Sequence, residues 1–167
     1  MKARKALTCP VLLNGNVTSA KVAMELKRET NASGIMIGRS AIRNPWIFRQ
    51  IRELQNGRPM YRPKMAQVYE YVDLLFESLK KPDLCEIRLV SRMKKFLNFV
   101  GLSICPKGEF LHYMRRVRTP HELFSVCDKY MIQNGSAEKL LPLEPFDELV
   151  ARPSQESTIS TSPSVVC

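Results

Sequence analysis

The chain has 167 residues, enough for one domain or for a small domain with an attached piece. A hydrophobic share of 44% permits a packed core and excludes a wholly disordered protein. Twenty-six Lys and Arg against sixteen Asp and Glu leave a net charge of +10, which favours a polyanionic partner, either nucleic acid or an acidic membrane surface. Incidental basicity is the bland alternative. Cys9, Cys85, Cys105, Cys127 and Cys167 are scattered singly, and five such residues argue against both a disulfide framework and a zinc site. A reducing compartment is the simplest setting. No apolar run approaches the roughly eighteen residues of a membrane span. No long apolar segment follows the basic start, so a secretory signal is not indicated.

In chain order, Met1 to Leu7 reads as the last turns of a helix, closed by Pro10. Val11-Leu12-Leu13 is a short buried-strand candidate running into Asn14-Gly15-Asn16, a tight turn of residues that tolerate positive φ. Thr18 or Ser19 caps a helix from about Ala20 to Thr30, with Val22, Ala23 and Leu26 facing inward. Asn31 to Gly34 breaks it. The apolar run Ile35-Met36-Ile37 then suits a strand covered on both faces, and it stops at Gly38-Arg39 before a helix-like segment carrying Pro45. This is a βαβα unit, implying parallel strands and a right-handed crossover. Two parallel strands also need cover for their faces and edges, which the chain does not obviously contain.

After Gly57, Pro59 and Pro63, which mark a linker, the pattern becomes helical. Met65, Val68, Val72, Leu75, Phe76 and Leu79 make one apolar stripe over Lys64 to Lys81. From Leu84 to Val100 the buried side is expected at Ile87, Val90, Met93, Leu97 and Val100, with Phe96 beside it. Arg88, Arg92 and Lys95 share the opposite face, with Lys94 nearer the flank. A shorter helix through Phe110, Leu111 and Met114 ends in Arg115-Arg116-Val117-Arg118. Thr119-Pro120-His121-Glu122 is then a capping-box start for a last helix packed by Leu123, Cys127, Tyr130 and Met131. Beyond Gly135 the pattern dissolves.

Two strand ends carrying Gly, one βα unit apart, can form a phosphate site of the kind found at the last two strands of many (β/α)₈ barrels. From spacing alone, both glycines serve equally well as ordinary turn residues. The basic residues on the Leu84 to Val100 helix, with Arg115, Arg116 and Arg118, are either a solvated face or a surface for nucleic-acid phosphates. His112 and His121 read as helix-surface residues and Trp46 as packing.

Residues 6 to 53 resemble the flavin-binding end of the tRNA-dihydrouridine synthases. Pro10 to Val17 is similar to that family's seventh strand and turn, and Thr30 to Arg39 to its eighth; Asn44-Pro45-Trp46-Ile47-Phe48 continues the match. The resemblance implies FMN, with its phosphate held at Asn14, Gly15, Asn16, Gly38 and Arg39, and NADPH as reductant. It also implies a helical tRNA-gripping domain, whose basic helix Arg92-Met93-Lys94-Lys95-Phe96-Leu97 resembles; the implied RNA-binding set is Arg88, Arg92, Lys94, Lys95, Arg115, Arg116 and Arg118. Ser33, Ser40 and Phe96 depart from the family pattern, which more often has Asp, Gly or Ala, and His there. The family's proton-donating cysteine lies in an earlier barrel strand, and Cys9-Pro10 stands at the start of the seventh, so no catalytic residue is assigned to this chain and no metal is expected.

The expectation is therefore an α/β chain, mostly α: the C-terminal fragment of a TIM (β/α)₈ barrel in residues 1–56, a helical tRNA-binding bundle in 57–133, and a disordered tail in 134–167. Its implied function is part of the FMN-dependent reduction of tRNA uridine to dihydrouridine, inactive alone and completed by the missing N-terminal barrel portion. The expected partner is tRNA, with no membrane, in the cytoplasm or alternatively an organelle. A non-catalytic RNA-binding helical module and a helical protein-interaction domain are the competing readings.

Overall fold

A computed structural model describes residues 9–147 and 149–151. The helix expected over Met1 to Leu7 and the Ser/Thr/Pro-rich stretch after Ala151 lie outside the described residues. Strand β1 (Leu12–Asn14) leads into helix α1 (Ala20–Thr30), then β2 (Gly34–Met36), α2 (Arg39–Arg43) and α3 (Ile47–Gln55). The two strands pair in parallel, Leu12 opposite Gly34, Leu13 opposite Ile35 and Asn14 opposite Met36. Ser19 caps α1, its Oγ accepting from the Val22 amide at 3.3 Å. Asn31 ends the helix in the left-handed region at φ 50°, and its N–H donates to the Lys27 carbonyl.

Paired residues share a face, so Leu12, Asn14 and Met36 stand on one side of the sheet and Leu13 and Ile35 on the other. Leu12 and Met36 are exposed, 66% and 50% respectively. Among the described residues only the Leu13–Ile35 side is packed, in keeping with two parallel strands whose full cover the chain does not obviously contain. There Ile35 and Ile37, with Ala23 and Met24 of α1 and Phe48 and Ile51 of α3, line a cavity of about 340 Å³. The inward side of α1 is also displaced from expectation. Ala20 and Ala23 are its buried residues, while Val22 and Leu26 are only half-buried, because small side chains let α1 lie close to α3.

The helical core is built from α4 (Met65–Leu79), α5 (Glu86–Val100), α6 (Glu109–Met114) and α7 (Pro120–Met131). Val68, Val72 and Phe76 of α4 meet Met93, Leu97 and Val100 of α5, closed by Phe110 and Met114 of α6 and Leu123, Cys127 and Met131 of α7. Each such fully buried side chain stabilises the fold by roughly 1.5–3 kcal/mol relative to exposure. The start of α7 is the expected capping box: Thr119 Oγ1 accepts from the Glu122 amide, and Glu122 Oε2 accepts from the amides of Arg118 and Thr119.

Two expectations fail here. On α5 the buried side starts at Leu89, while Ile87 is 71% exposed, so the first turn projects past its neighbours. The segment from residue 134, expected as a disordered tail, is folded through Ala151. Ser136–Glu138 forms a short 3₁₀ turn, Leu140 bridges to Lys64, and Leu141 is buried in the helical core.

One anchor of this segment is Arg43. Although α2 looks like a surface turn, Arg43 is 3% exposed. Its Nη1 donates to Ser103 Oγ (2.7 Å) and the Pro142 carbonyl (3.2 Å), and its Nη2 to the carbonyls of Thr18 and Leu143, both at 2.7 Å. One guanidinium thereby ties the loop before α1, the 3₁₀ turn after α5 and the C-terminal segment together. Burial pushes its pKa down, opposed by the charge of Glu144.

Candidate functional site

The parallel register brings the C-terminal ends of β1 and β2 side by side. Asn14, Gly15 and Asn16 leave β1, and Gly38 and Arg39 follow β2, all five exposed at the same end of the sheet. None of the residues 14–16 has a positive φ, so this turn does not use the left-handed freedom expected of it. It is closed instead by the Val17 amide donating to the Gly15 carbonyl at 2.9 Å. Gly38 has an ordinary φ of −102°. The absence of side chains matters differently: a Cβ at Gly15 or Gly38 would meet nothing within 4 Å, so both glycines front open space.

The helix after Gly38 is five residues long and stops at Asn44-Pro45. Its dipole is correspondingly short, and a phosphate at this end calls for another source of positive potential. That potential rests on the Arg39 guanidinium, which forms no ion pair among the described residues. An exposed cation, two glycines without obstruction and two asparagine side chains make a donor set suited to a phosphate.

Behind this end, Asn44 is buried, its Nδ2 donating to Gln50 Oε1 at 2.8 Å, and Gln50 Nε2 donates to the Tyr61 carbonyl. Trp46 packs between Tyr61 and Tyr71, ring centroids 6.5 and 6.2 Å away, which is the packing role expected of it.

The basic residues of the helical part divide into two groups. Arg88, Arg92 and Lys95 on α5, and Arg116 and Arg118 after α6, are exposed. The ion pairs formed among the described residues, Arg49–Glu53, Lys64–Glu138 and Lys80–Glu77, include none of them. Lys94 and Arg115 are half-buried and hold the fold together. Lys94 Nζ donates to the Arg115 carbonyl at 3.0 Å, and its pKa is lowered by burial and then by Arg118. Arg115 donates from Nε to Asn98 Oδ1 and from Nη2 to the Val150 carbonyl, both at 2.7 Å; burial, then Arg116, lowers its pKa.

Cys9 is exposed just ahead of β1, at the opposite end of the strand from the glycines. The four described cysteines are all free thiols, and burial raises the Cys127 pKa to about 12. No group of His, Cys, Asp and Glu among the described residues could hold a metal ion. No described helix is long and apolar enough to cross a membrane.

The dihydrouridine synthase (Dus) family model matches residues 1–134. The tRNA-dihydrouridine synthase B of Xanthomonas axonopodis is 39% identical over 132 residues, covering 76% of this chain and 38% of the relative. The tRNA-dihydrouridine(16) synthase of Neisseria meningitidis is 24% identical over 129 residues, 77% of this chain and 39% of the relative. A probable tRNA-dihydrouridine synthase of Helicobacter pylori is 43% identical over 74 residues, 44% of this chain and 22% of the relative. The chain thus spans less than two fifths of the length of these relatives.

Proposed function

Because the chain belongs to the dihydrouridine synthase family, we propose that it serves the FMN- and NADPH-dependent reduction of uridine to dihydrouridine in tRNA, holding the flavin phosphate at its strand ends and the RNA on its basic helical face. The observation that carries this reading is the register that sets Asn14 beside Met36 and so gathers Asn14, Gly15, Asn16, Gly38 and Arg39 at one sheet end. A phosphate placed there would be met by the Arg39 guanidinium, the two asparagine amides and backbone N–H groups, with Gly15 and Gly38 leaving room for it. Reduced FMN, when bound, would supply the hydride that together with a proton saturates the uracil C5–C6 double bond, and NADPH would return the oxidised flavin to its reduced form.

On this reading β1 and β2 are two neighbouring strands of a (β/α)₈ barrel wall. Their exposed side, with Leu12, Asn14 and Met36, faces the barrel interior, and α1 and α3 lie outside. Two strands cannot close a barrel. The chain is accordingly proposed to anchor flavin and grip RNA without completing the chemistry from its own strands, with no catalytic role for Cys9. Arg88, Arg92, Lys95, Arg116 and Arg118 would contact RNA phosphates, and Lys94 and Arg115 would position the turn that carries them. A tRNA substrate implies an intracellular site of action.

The test combines two titrations of the purified chain. Flavin fluorescence should be quenched by the chain, and Arg39→Glu should weaken FMN binding about tenfold or more, as expected for losing a charge-assisted phosphate contact. Binding to a tRNA transcript should fall steeply with salt and be lost on reversing Arg92, Lys95 and Arg116. FMN affinity indifferent to Arg39→Glu would sink the phosphate assignment, and dihydrouridine formed by the chain alone would overturn the non-catalytic part. Salt-dependent tRNA binding without any flavin binding would favour the RNA-binding module, a reading supported by a basic face that needs no flavin to be presented.

A further inference from the structure

A second recess lies in the helical part, about 450 Å³ in volume, between the loop leading into α6, the C-terminal turns of α7 and the segment after it. Tyr113 and Tyr130 stand in its wall with Lys129, Lys139, Cys105 and Glu109. Most ring pairs elsewhere in the chain meet edge-on, as Phe76 and Phe124 do at 85°, the geometry of core packing. Tyr113 and Tyr130 differ: they are tilted by only 31°, with centroids 6.4 Å apart, and Tyr113 is 49% exposed. The Lys129 ammonium stands almost equidistant from the two rings, 5.3 and 5.4 Å from their centroids. The His112 ring meets Tyr113 edge-on at 5.3 Å, the Phe110 ring meets Tyr130 edge-on at 5.9 Å, and Tyr130 Oη donates to Glu109 Oε2 at 3.4 Å.

We propose that this recess is a nucleotide subsite for single-stranded RNA, one base stacking on Tyr113 beside Tyr130 and the adjoining phosphate meeting Lys129 and Lys139. The inference rests on the reading that the helical part grips RNA, and adds to it a base contact that the exposed arginines do not provide. An exposed aromatic face flanked by lysines suits a base and its phosphate, because every base has a π-face and the cation screens the backbone charge. Glu109 is the one carboxylate in the lining, against two lysines, and it is turned to the Tyr130 hydroxyl. One residue of the proposed grip lies close by: Arg116 follows Tyr113 by three residues, and its Nη1 donates to the His112 carbonyl at 2.6 Å.

The experiment uses the full chain with a fluorescein-labelled octauridylate and with an abasic strand of the same length, read by anisotropy. Tyr113→Ala should weaken octauridylate binding about tenfold, the size of one lost base–aromatic stack, while Tyr113→Phe stays within about twofold of the parent. The abasic strand should bind the parent as weakly as octauridylate binds Tyr113→Ala. Lys129→Gln should lower the slope of log affinity against log salt by about 0.7, one single-strand phosphate contact. Far-ultraviolet circular dichroism confirms that each variant is folded, which the half-exposed position of Tyr113 favours. Equal binding of octauridylate by the parent and Tyr113→Ala, no binding by the parent, or equal binding of uridylate and abasic strands would each overturn the subsite. Loss of tRNA binding on reversing Arg92 and Lys95, with Tyr113→Ala silent, would remove the subsite and leave the broader function standing.

Discussion

At the scale of single residues, Arg43 has the largest structural consequence. A buried guanidinium that forms no ion pair among the described residues is tolerated because its four Nη hydrogens reach four acceptors, three of them backbone carbonyls, and the charge of Glu144 offsets part of the burial cost. Arg43→Ala would leave those acceptors unpaired in a space the shorter side chain cannot fill. A loss of about 3 kcal/mol is expected, since hydrogen bonds to a charged group are worth about 1.5–3 kcal/mol and orphaned buried groups cost more. Urea unfolding followed by circular dichroism measures it, and an unchanged midpoint would show that the clasp contributes nothing. Arg43→Lys should recover only part, because an ammonium cannot reproduce the planar fork. Cysteine reactivity is a second residue-scale test. With its pKa near 12, the Cys127 thiol stays protonated and enclosed by the helical core, so the native chain at pH 8 should leave it unalkylated while Cys9 and Cys85 react. Alkylation of Cys127 at the rate of Cys9 would mean that the core opens freely around α7.

At the scale of elements, the cap of α7 links sequence, stability and pH. The Arg118 amide first, and the Thr119 amide second, hold the Glu122 carboxyl below the usual carboxylate range; at Glu53 the Tyr61 amide, then Arg49, do the same. A depressed folded pKa contributes stability above the unfolded value, about 4.3, and that contribution is lost as pH falls through the folded value. Melting temperature should therefore decline below about pH 4.3, and Glu122→Gln should flatten that decline while lowering stability at neutral pH. A variant with the parent's pH profile would show that the cap is not formed in solution. Thr119→Ala should cost about 1 kcal/mol at any pH. This cap was legible because its residue types sit at fixed offsets. The buried face of α5 was misassigned at its first turn because Ile87 and Leu89 fit helical spacing equally well, and only the extent of the neighbouring helices decides between them. The segment after Gly135 was illegible for another reason. It is held by carbonyls donated to by Arg43 and Arg115 and by single apolar anchors such as Leu141, none of which produces periodicity.

At the scale of the whole molecule, the strand ends and the basic face could be read from the sequence, because a glycine after an apolar run and arginines one turn apart are local patterns. The tyrosine-lined recess and the Arg43 clasp could not, because both join residues far apart in sequence. The described residues also divide by how well they are enclosed. The helical part surrounds its core on several sides, whereas the sheet has only three paired positions, one packed face, and Leu12 and Met36 in solvent. Local opening is easiest where few apolar contacts resist it. Amides of β1 and β2 should then exchange with deuterium on the order of a hundredfold faster than those of Met93, Leu97 and Leu123, a ratio mass spectrometry resolves peptide by peptide. Saturating FMN gives the measurement its functional edge, since a ligand that binds only the folded form stabilises what it touches. If the flavin phosphate sits at Asn14, Gly15, Asn16, Gly38 and Arg39, protection should rise in peptides spanning 12–17 and 34–41 and stay constant across α4 to α7. Protection rising in the helical part alone would move the flavin away from the strand ends, and equal exchange of sheet and core without ligand would mean that the sheet is far better supported than its two short strands suggest.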